Sequence, residues 1–328
     1  MAFDEKILSE VYGELGARAR RRAERMEARR QEICAKLPRI GEIDTEIRSE
    51  MLQLAAQALQ RGEGRAAAER AKTWITARRA EQRELLGELG YPPDALELAP
   101  ECPLCEDRYY VGGRPCRCLI RAYGEAQLRE LEQTLPVRAE TFETFDAAVY
   151  SSAPDPELGF SPRTNMDDIY DTCRRFAERL DLQEKSLLLW GGPGLGKTFL
   201  ASSIAASLTA QGRSVLARDA VSFFATAERS KFSNDADVTE EADAELRRIY
   251  DCDLFILDGL GSELRSPFVS TALYTLLTAR IQKGRRLVIT AGLAEEQMAS
   301  RYTPQVASRI KGEFEALYFF GEDVRASR

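Results

Sequence analysis

The second half of the sequence predicts an α/β fold with a parallel sheet covered by helices, preceded by a helical region and a small cysteine-rich module. Three observations lead to this prediction. From about residue 166, short apolar runs alternate with stretches of helical length, an order typical of parallel sheets. Residues 1–90 are rich in Ala, Glu, Arg, Leu and Gln. Four of the seven cysteines fall within residues 102–118.

The elements of the second half follow one another in a regular order. A helix at 166–180 leads into an apolar strand at 186–190, and a helix follows at 198–212. The acidic run 234–245 predicts an exposed loop that continues into a helix. The remaining strands are expected at 213–217, 253–257, 286–290 and 316–320, and the remaining helices at 267–283 and 294–311.

Residues 1–90 predict two or three long helices folded as a hairpin. Pro38 and Gly41 interrupt the helical pattern and indicate a joint between helices, whereas Gly62 and Gly64 mark a second weak point. Such a module has little interior of its own, so we expect it to dock on a partner.

Composition limits the classes of function. With 46 basic against 53 acidic residues the net charge is −7, so the whole molecule is not a nonspecific nucleic-acid coat, and any such contact must come from a local patch. The absence of histidine excludes histidine bases and histidine metal ligands. Without an export signal or an apolar run of about 18 residues, we expect a cytoplasmic protein that makes no contact with membranes.

Residues 191–198, GGPGLGKT, fit the phosphate-binding pattern G-x-x-x-x-G-K-[ST]. Glycines let the backbone aim its N–H groups at phosphate oxygens, Lys197 reaches the terminal phosphates, and the Thr198 hydroxyl ligates Mg²⁺. The helix that follows directs the partial positive charge of its N-terminus at the same phosphates. The pattern predicts ATP or GTP binding. The predicted nucleotide-binding residues are Gly191, Gly192, Pro193, Gly194, Leu195, Gly196, Lys197, Thr198, Phe199 and Asp258.

Asp258 completes this predicted site. It ends the apolar run of LFILDGLGSE at 254–263, as a buried strand that ends at the nucleotide would. There it would hold Mg²⁺ through water.

Cys102, Cys105, Cys116 and Cys118 have the spacing C-x2-C-x10-C-x-C. Four thiolates suit tetrahedral Zn²⁺, and four-cysteine sites are typically closed and structural. The alternatives are a redox C-x-x-C pair, an iron–sulfur cluster or unrelated thiols.

Taken together, these stretches resemble the bacterial DnaC/DnaI-like replicative helicase loaders, which are AAA+ ATPases related to the IstB-type transposition helpers. The order of the matching stretches along nearly the whole chain is more specific than any one motif. The stretches are the helical start, CPLCEDRYYVGGRPCRCL, ETFETFD, LLLWGGPGLGKTFLASSIA, LFILDGLGSE and VASRIKGEFEALYFFGEDVR.

The resemblance implies a P-loop AAA+ core that uses ATP and Mg²⁺ to load a hexameric replicative helicase onto single-stranded DNA. The zinc-bearing N-terminal region would bind the helicase, and the ATPase part would bind DNA and self-associate. Arg309 would then reach the nucleotide of a neighbouring subunit, with Arg325 a weaker candidate for a similar role. From the sequence alone, without the resemblance, Arg309 is expected to be a surface arginine of a helix.

Two departures from the family pattern affect the predicted catalytic set, which consists of Lys197, Asp258, Arg309 and Glu263. Gly259 stands where the family often has an acidic residue, and Gly292 stands where it often has Asn. Glu263 is the candidate substitute for the missing acid. We therefore expect slow ATP turnover, more as a switch than as a rapid hydrolase.

The sequence leaves other functions open. One is an IstB-type transposition helper, and another is an ATP-binding adaptor with little hydrolysis. In each case the predicted domains are a helical region at 1–99, a zinc module at 100–133, a linker at 134–165 anchored by Phe142 and Phe145, and the ATPase domain at 166–328.

Overall fold

The computed structural model describes residues 3–60 and 64–327, so the weak point predicted at Gly62 lies outside the described residues. Its contacts divide the chain into two compact units, one of residues Tyr12–Arg108 and one of Met1–Val11 with Tyr109–Arg328. The predicted domain boundaries at 99, 133 and 165 remain predictions. Among the described residues, no helix is both long and apolar enough to cross a lipid bilayer.

Three long helices precede the cysteine segment: α1 (Glu5–Lys36), α2 (Pro38–Gln60) and α3 (Gly64–Glu88). Pro38 begins α2, where its missing N–H removes no intrahelical bond, so a joint forms at this position as predicted. Gly41, predicted as part of the same joint, lies inside α2.

The unit Tyr12–Arg108 is called the helical unit. Polar contacts and a small apolar cluster hold it together. Ile33, Ile40 and Leu86 form that cluster. Arg39 links α2 to α3 by pairing with Glu81 at 2.9 Å. Partly exposed ion pairs contribute at most about 1 kcal/mol each. The unit therefore depends on a short core and on several weak pairs.

The second unit contains a five-stranded parallel sheet with the order β4-β5-β6-β3-β7. This confirms the predicted α/β architecture with a parallel sheet covered by helices. A short antiparallel hairpin, β1 (Tyr110–Val111) and β2 (Arg114–Pro115), precedes the sheet. The strands of the sheet are β3 (Ser186–Gly191), β4 (Val215–Asp219), β5 (Leu254–Leu260), β6 (Arg286–Ala291) and β7 (Phe314–Phe319).

Helices cover the sheet on both faces. Along β3, Leu187 and Leu189 join one apolar core, whereas Leu188 between them joins the other. This alternation is the two-residue period of a strand, and it explains why a parallel strand buried on both faces is a continuous apolar run. The helices are α4 (Arg117–Leu131), α5 (Pro162–Glu178), α6 (Lys197–Ala210), α7 (Ala220–Phe232), α8 (Ala236–Asp251), α9 (Pro267–Gln282), α10 (Glu295–Arg301) and α11 (Pro304–Glu313).

Two local predictions were wrong. The acidic run 234–245 is almost entirely helical, because Asp235 caps α8 by accepting hydrogen bonds from the N–H groups of Asp237 and Val238. The helix predicted at 294–311 is two helices. Pro304 begins the second of them, and the Thr303 side chain caps it.

The segment before the sheet is anchored as predicted. Phe142 is buried, and Phe145 stacks on Tyr170 with ring centroids 4.7 Å apart. The Phe145 ring also lies 5.9 Å from that of Phe199 in α6. Short 3₁₀ helices at Phe142–Thr144 and Ala147–Val149 carry this chain across the unit.

The first residues of the chain belong to the same unit. The Asp4 carboxylate pairs with Arg248 of α8 at 2.7 Å, and Arg248 also pairs with Glu130 of α4 at 2.7 Å. Burial alone would raise the pKa of Glu130, but the hydrogen bonds and charge of Arg248 outweigh burial and hold that pKa below its usual value. Arg248 thus ties the start of the chain and α4 to α8.

Candidate nucleotide site and cysteine cluster

A cavity of about 540 Å³ lies at the carboxyl ends of the central strands. Because β5, β6 and β3 are neighbours in the sheet, the loops that follow them meet at this edge. Ligands of open α/β sheets bind at such an edge. Of the predicted nucleotide-binding residues, the cavity is lined by Gly191, Pro193, Gly194, Leu195, Gly196, Lys197, Thr198, Phe199 and Asp258.

The phosphate loop joins β3 to α6. Gly194 and Gly196 have φ angles of 71° and 90°, which side chains other than glycine rarely adopt. The Lys197 ammonium group donates to the carbonyl oxygen of Gly191 at 2.9 Å and to that of Gly192. Burial lowers the pKa of Lys197, the nearby Asp258 charge opposes this, and Arg325 lowers the pKa further. These carbonyl contacts hold the ammonium group inside the loop.

Gly191 permits a close approach between two strands. Its φ is 143°, and a Cβ atom at this position would lie 2.0 Å from the carbonyl oxygen of Phe319 on β7. We expect Gly191→Ala to lower the free energy of unfolding by at least about 1–3 kcal/mol through backbone strain alone, measured by urea denaturation. Gly292→Ala is the matched control, because a Cβ there meets nothing within 4 Å, and its expected effect is within about 0.5 kcal/mol. Equal effects of the two substitutions would contradict this account of the loop.

Asp258 and Thr198 lie together as a Mg²⁺ site requires. The Thr198 hydroxyl donates to the Asp258 carboxylate at 3.1 Å. Thr290, at the end of β6, donates to the same carboxylate oxygen at 2.7 Å and accepts from the N–H of Gly259, also at 2.7 Å. Hydroxyl and carboxylate oxygens are ligands that Mg²⁺ prefers. The donor set therefore fits a Mg²⁺ ion held between α6 and β5.

Gly259 and Gly292, the two departures from the family pattern, both line this cavity. Glu263, the candidate substitute acid, is only 6% exposed. Its carboxylate accepts from the N–H of Gly261 at 2.8 Å, from Tyr302 at 2.8 Å and from Arg301 at 3.1 Å. Because these donors hold both carboxylate oxygens of Glu263, the arrangement gives no support to a catalytic role for this residue.

The two arginine candidates occupy different places. Arg309 lies in α11, where its guanidinium group stacks over the Tyr274 ring at 4.9 Å, and it is not among the described residues that line the cavity. Arg325 lines the cavity of its own chain. The segment that carries Arg325 is fixed to the phosphate loop, since the N–H of Val324 donates to the carbonyl of Gly194 at 3.1 Å. This position favours a role in its own site, not the predicted one in a neighbour's site.

The sequence reasoning missed one wall of the cavity. It is formed by residues from the segment predicted as a linker, and the Tyr150 hydroxyl of this wall donates to the carbonyl of Leu195 at 3.2 Å. A signal was present in the aromatic residues of ETFETFD, which were interpreted only as anchors. The wall residues are Glu140, Phe145, Asp146, Val149 and Tyr150.

The four predicted cysteine ligands come together. The sulfur atoms of Cys102, Cys105, Cys116 and Cys118 all lie within 4.8 Å of one another, and the first three residues are buried. Tetrahedral zinc with Zn–S bonds of about 2.3 Å places its sulfurs about 3.8 Å apart, so the cluster matches such a site in size and donor type.

Local backbone geometry makes this cluster possible. The strands β1 and β2 form a hairpin whose turn, Gly112–Gly113, has positive φ at both residues. The hairpin returns the chain so that the N–H of Cys116 donates to the carbonyl of Tyr109 at 2.8 Å. In the preceding turn, the Asp107 carboxylate accepts from the N–H of Cys102 at 2.9 Å.

Comparison with known proteins supports the assignment of the nucleotide site. The model of the family described as IstB-like ATP binding protein matches residues 178–307. These residues are therefore similar to an IstB-like ATP-binding domain. The domain contains the phosphate loop, Asp258 and Thr290, whereas Arg309 and the cysteine cluster lie outside it.

Curated relatives confirm the resemblance to helicase loaders. The replicative helicase loaders DnaC of Buchnera aphidicola subspecies Acyrthosiphon pisum and Schizaphis graminum are 25% and 24% identical to this chain over 143 residues. The match covers 44% of this chain and 57% of each relative. The chain thus spans a little more than half the length of the curated relatives it matches.

Solved structures of similar proteins include a DnaC helicase loader and DnaI. The DnaC structure has a TM-score of 0.46 at 20% identity and covers 56% of this chain and 98% of its own. The DnaI structure has a TM-score of 0.45 at 18% identity and covers 56% and 93%, respectively.

Proposed function

We propose that this protein is an ATP-dependent loader that places a hexameric replicative DNA helicase on single-stranded DNA. The observation that carries the proposal is the cavity of the IstB-like domain, where the phosphate loop faces the Thr198–Asp258 pair. The similarity to DnaC loaders and the cysteine cluster support it. Replication takes place in the bacterial cytoplasm, so we assign the protein to that compartment.

The chain's own residues supply each part of nucleotide binding. Backbone N–H groups of the phosphate loop and Lys197 bind the phosphates, while Thr198 and Asp258 hold Mg²⁺. Arg325 adds a positive charge at the same cavity. Phe145 and Tyr150 line the same cavity and offer aromatic surface suited to the flat base of ATP.

Slow hydrolysis follows from the same cavity. An attacking water needs a nearby base to orient it and accept its proton. Gly259 offers no carboxylate, and the carboxylate of Glu263 is held by Arg301 and Tyr302. We therefore propose a switch whose state is set by bound ATP, with turnover slower than in ATPases that carry an acid at position 259.

Arg309 is proposed to act on the nucleotide of a neighbouring chain. Its position outside the cavity of its own chain accords with such a role. An arginine that reaches a phosphate in trans makes ATP binding and self-association depend on each other. Self-association through the ATPase domain predicted at 166–328, which contains Arg309, is accordingly part of the proposal.

The cysteine cluster is proposed to hold a structural zinc ion that shapes a helicase-binding module. Zinc supplies folding free energy to short segments that have little core of their own. The helical unit, with its small apolar cluster, is the proposed docking partner of the helicase.

The principal alternative is an IstB-type transposition helper that acts with a recombinase on DNA. The family model that matches residues 178–307 favours this alternative, because it describes IstB-like proteins. ATP-dependent assembly on duplex DNA would distinguish a helper from a loader.

The proposal is tested by mixing the full-length protein with the hexameric replicative helicase of its host, with and without ATP, and measuring the mass of the product by light scattering. We expect a stable complex whose stoichiometry or lifetime depends on ATP. Absence of a complex under every nucleotide condition would overturn the loader assignment. The Lys197→Ala variant is the control for the ATP dependence.

A further inference from the structure

Arg309 is held by a tyrosine that the sequence did not single out. Tyr274 lies on α9, which packs against α11. The Arg309 guanidinium group lies over the Tyr274 ring at 4.9 Å and donates from Nη2 to the Tyr274 hydroxyl at 3.2 Å. One tyrosine therefore contacts the guanidinium group through both its ring and its hydroxyl.

The charge environment of Arg309 differs from that of Arg301, the preceding arginine in the sequence. Arg301 forms an ion pair with Glu263 at 3.1 Å. Within the ranges 3–60 and 64–327 that the structure describes, Arg309 forms no ion pair, and its partner is the neutral Tyr274. A guanidinium group without a carboxylate partner keeps its charge available for an anion.

The geometry of the contact leaves most donors of Arg309 open. A guanidinium group has five N–H donors, which lie in its plane and point outward. The bond to the Tyr274 hydroxyl uses only one Nη2 donor. The remaining donors match the fork-like geometry with which arginine binds phosphate.

The contact also restricts the Arg309 side chain. A free arginine side chain has many rotamers. An interaction that needs a single geometry therefore costs the conformational entropy of the others. Tyr274 has only two side-chain torsions and is 37% exposed, so it forms a comparatively rigid support at the surface. The interaction is mutual, because the hydrogen bond from Arg309 lowers the pKa of Tyr274 below its usual value.

We propose that Tyr274 is a positioning residue that holds the guanidinium group of Arg309 in place to bind the terminal phosphates of ATP held by a neighbouring copy of this chain. This inference rests on the proposed role of Arg309 in trans. It adds a residue of α9 to the intersubunit site and assigns that residue no contact with the nucleotide.

The test compares ATP-dependent self-association of full-length variants by sedimentation, with ATP hydrolysis at rising protein concentration as a second measurement. The variants are Arg309→Ala, Tyr274→Ala, Tyr274→Phe and the double variant Arg309→Ala/Tyr274→Ala. Tyr274→Phe keeps the ring and removes the hydroxyl, so it separates stacking from the hydrogen bond. Binding of a fluorescent ATP analogue to dilute protein monitors each chain's own site.

We expect Arg309→Ala to weaken ATP-dependent assembly at least about 10-fold, since it removes charge-assisted bonds to phosphate. Tyr274→Ala should weaken assembly about 2–5-fold, the range of an exposed cation–π contact, and Tyr274→Phe should retain most of the wild-type assembly. The double variant should match Arg309→Ala, because Tyr274 acts only through Arg309. Nucleotide affinity of dilute protein should not change.

The test distinguishes a failure of the proposed role of Arg309 from a failure of the inference on Tyr274. If Arg309→Ala leaves assembly and hydrolysis unchanged, or if the wild-type chain does not assemble with ATP, the role of Arg309 in trans is wrong and the inference falls with it. If Arg309→Ala weakens assembly but Tyr274→Ala does not, or if Tyr274→Ala has the same effect in the Arg309→Ala background, only the inference on Tyr274 is overturned.

A matched control is available in the helical unit. There Lys36 lies 5.4 Å from the Tyr91 ring and donates to the Tyr91 hydroxyl at 2.8 Å, the same two contacts that Arg309 makes with Tyr274. Tyr91→Ala should leave ATP-dependent assembly unchanged. An equal loss from Tyr91→Ala and Tyr274→Ala would show a general effect of tyrosine substitution and would contradict the inference.

Discussion

Replacing Lys197 with alanine is expected to weaken ATP binding by at least about 10–100-fold, because a hydrogen bond to a charged group contributes about 1.5–3 kcal/mol. The ammonium group of Lys197 contacts the carbonyls of Gly191 and Gly192 inside the loop, where the terminal phosphates would lie. No other lysine lines the cavity among the described residues. Titration with a fluorescent ATP analogue or calorimetry measures the loss.

Lys311→Ala serves as the control for Lys197→Ala. Lys311 is an exposed lysine of α11 in the same unit, and its substitution changes net charge equally. We expect Lys311→Ala to retain wild-type ATP affinity, and both variants to keep the wild-type melting temperature within a few degrees. Unchanged affinity in Lys197→Ala would show that nucleotide binds elsewhere.

The parts of the candidate site whose positions could be predicted from the sequence are those built from local geometry. The phosphate loop follows from three adjacent features, a buried strand, a glycine-rich turn and a helix that begins at Lys197. Asp258 could be placed because an apolar run that ends in a carboxylate indicates a strand that ends at the ligand edge. Sheet order then brings it within 3.1 Å of Thr198.

The parts that the sequence could not place depend on tertiary packing. Glu263 is five residues from Asp258, but tertiary contacts with Arg301 and Tyr302 hold its carboxylate. Arg325 is distant from the phosphate loop in sequence, and tertiary contacts such as the bond from Val324 to Gly194 bring it to the cavity. Spacing along the chain carries no information on either contact.

The cysteine spacing allowed a sharper prediction than the arginines because the ligands are local. Cys102 and Cys118 are separated by one short hairpin, so the turn at Gly112–Gly113 decides whether the two halves meet. Identical ligand types at short spacing leave few arrangements to choose from. The identity of the metal requires measurement, because zinc and iron–sulfur sites share this donor set.

The second large expected effect is loss of the metal after substitution within the cysteine cluster. The wild-type protein is expected to contain about one zinc per chain, and Cys105→Ser should reduce this content strongly, since structural zinc sites contribute apparent free energies of about 10–16 kcal/mol that depend on all four ligands. Metal analysis by mass spectrometry measures the content. Helicase binding should fall together with the metal, whereas ATP affinity should persist because the phosphate loop shares no residue with the cluster.

Cys34→Ser is the matched control for this prediction, because Cys34 lies outside the cluster and its substitution has the same chemistry. We expect it to retain full zinc content and helicase binding. A zinc content near zero in the wild-type protein, with iron and inorganic sulfide in its place, would assign an iron–sulfur cluster. If Cys105→Ser loses its metal and still binds the helicase with wild-type affinity, the cluster stabilises a segment that the helicase does not contact, and docking then depends on the helical unit alone.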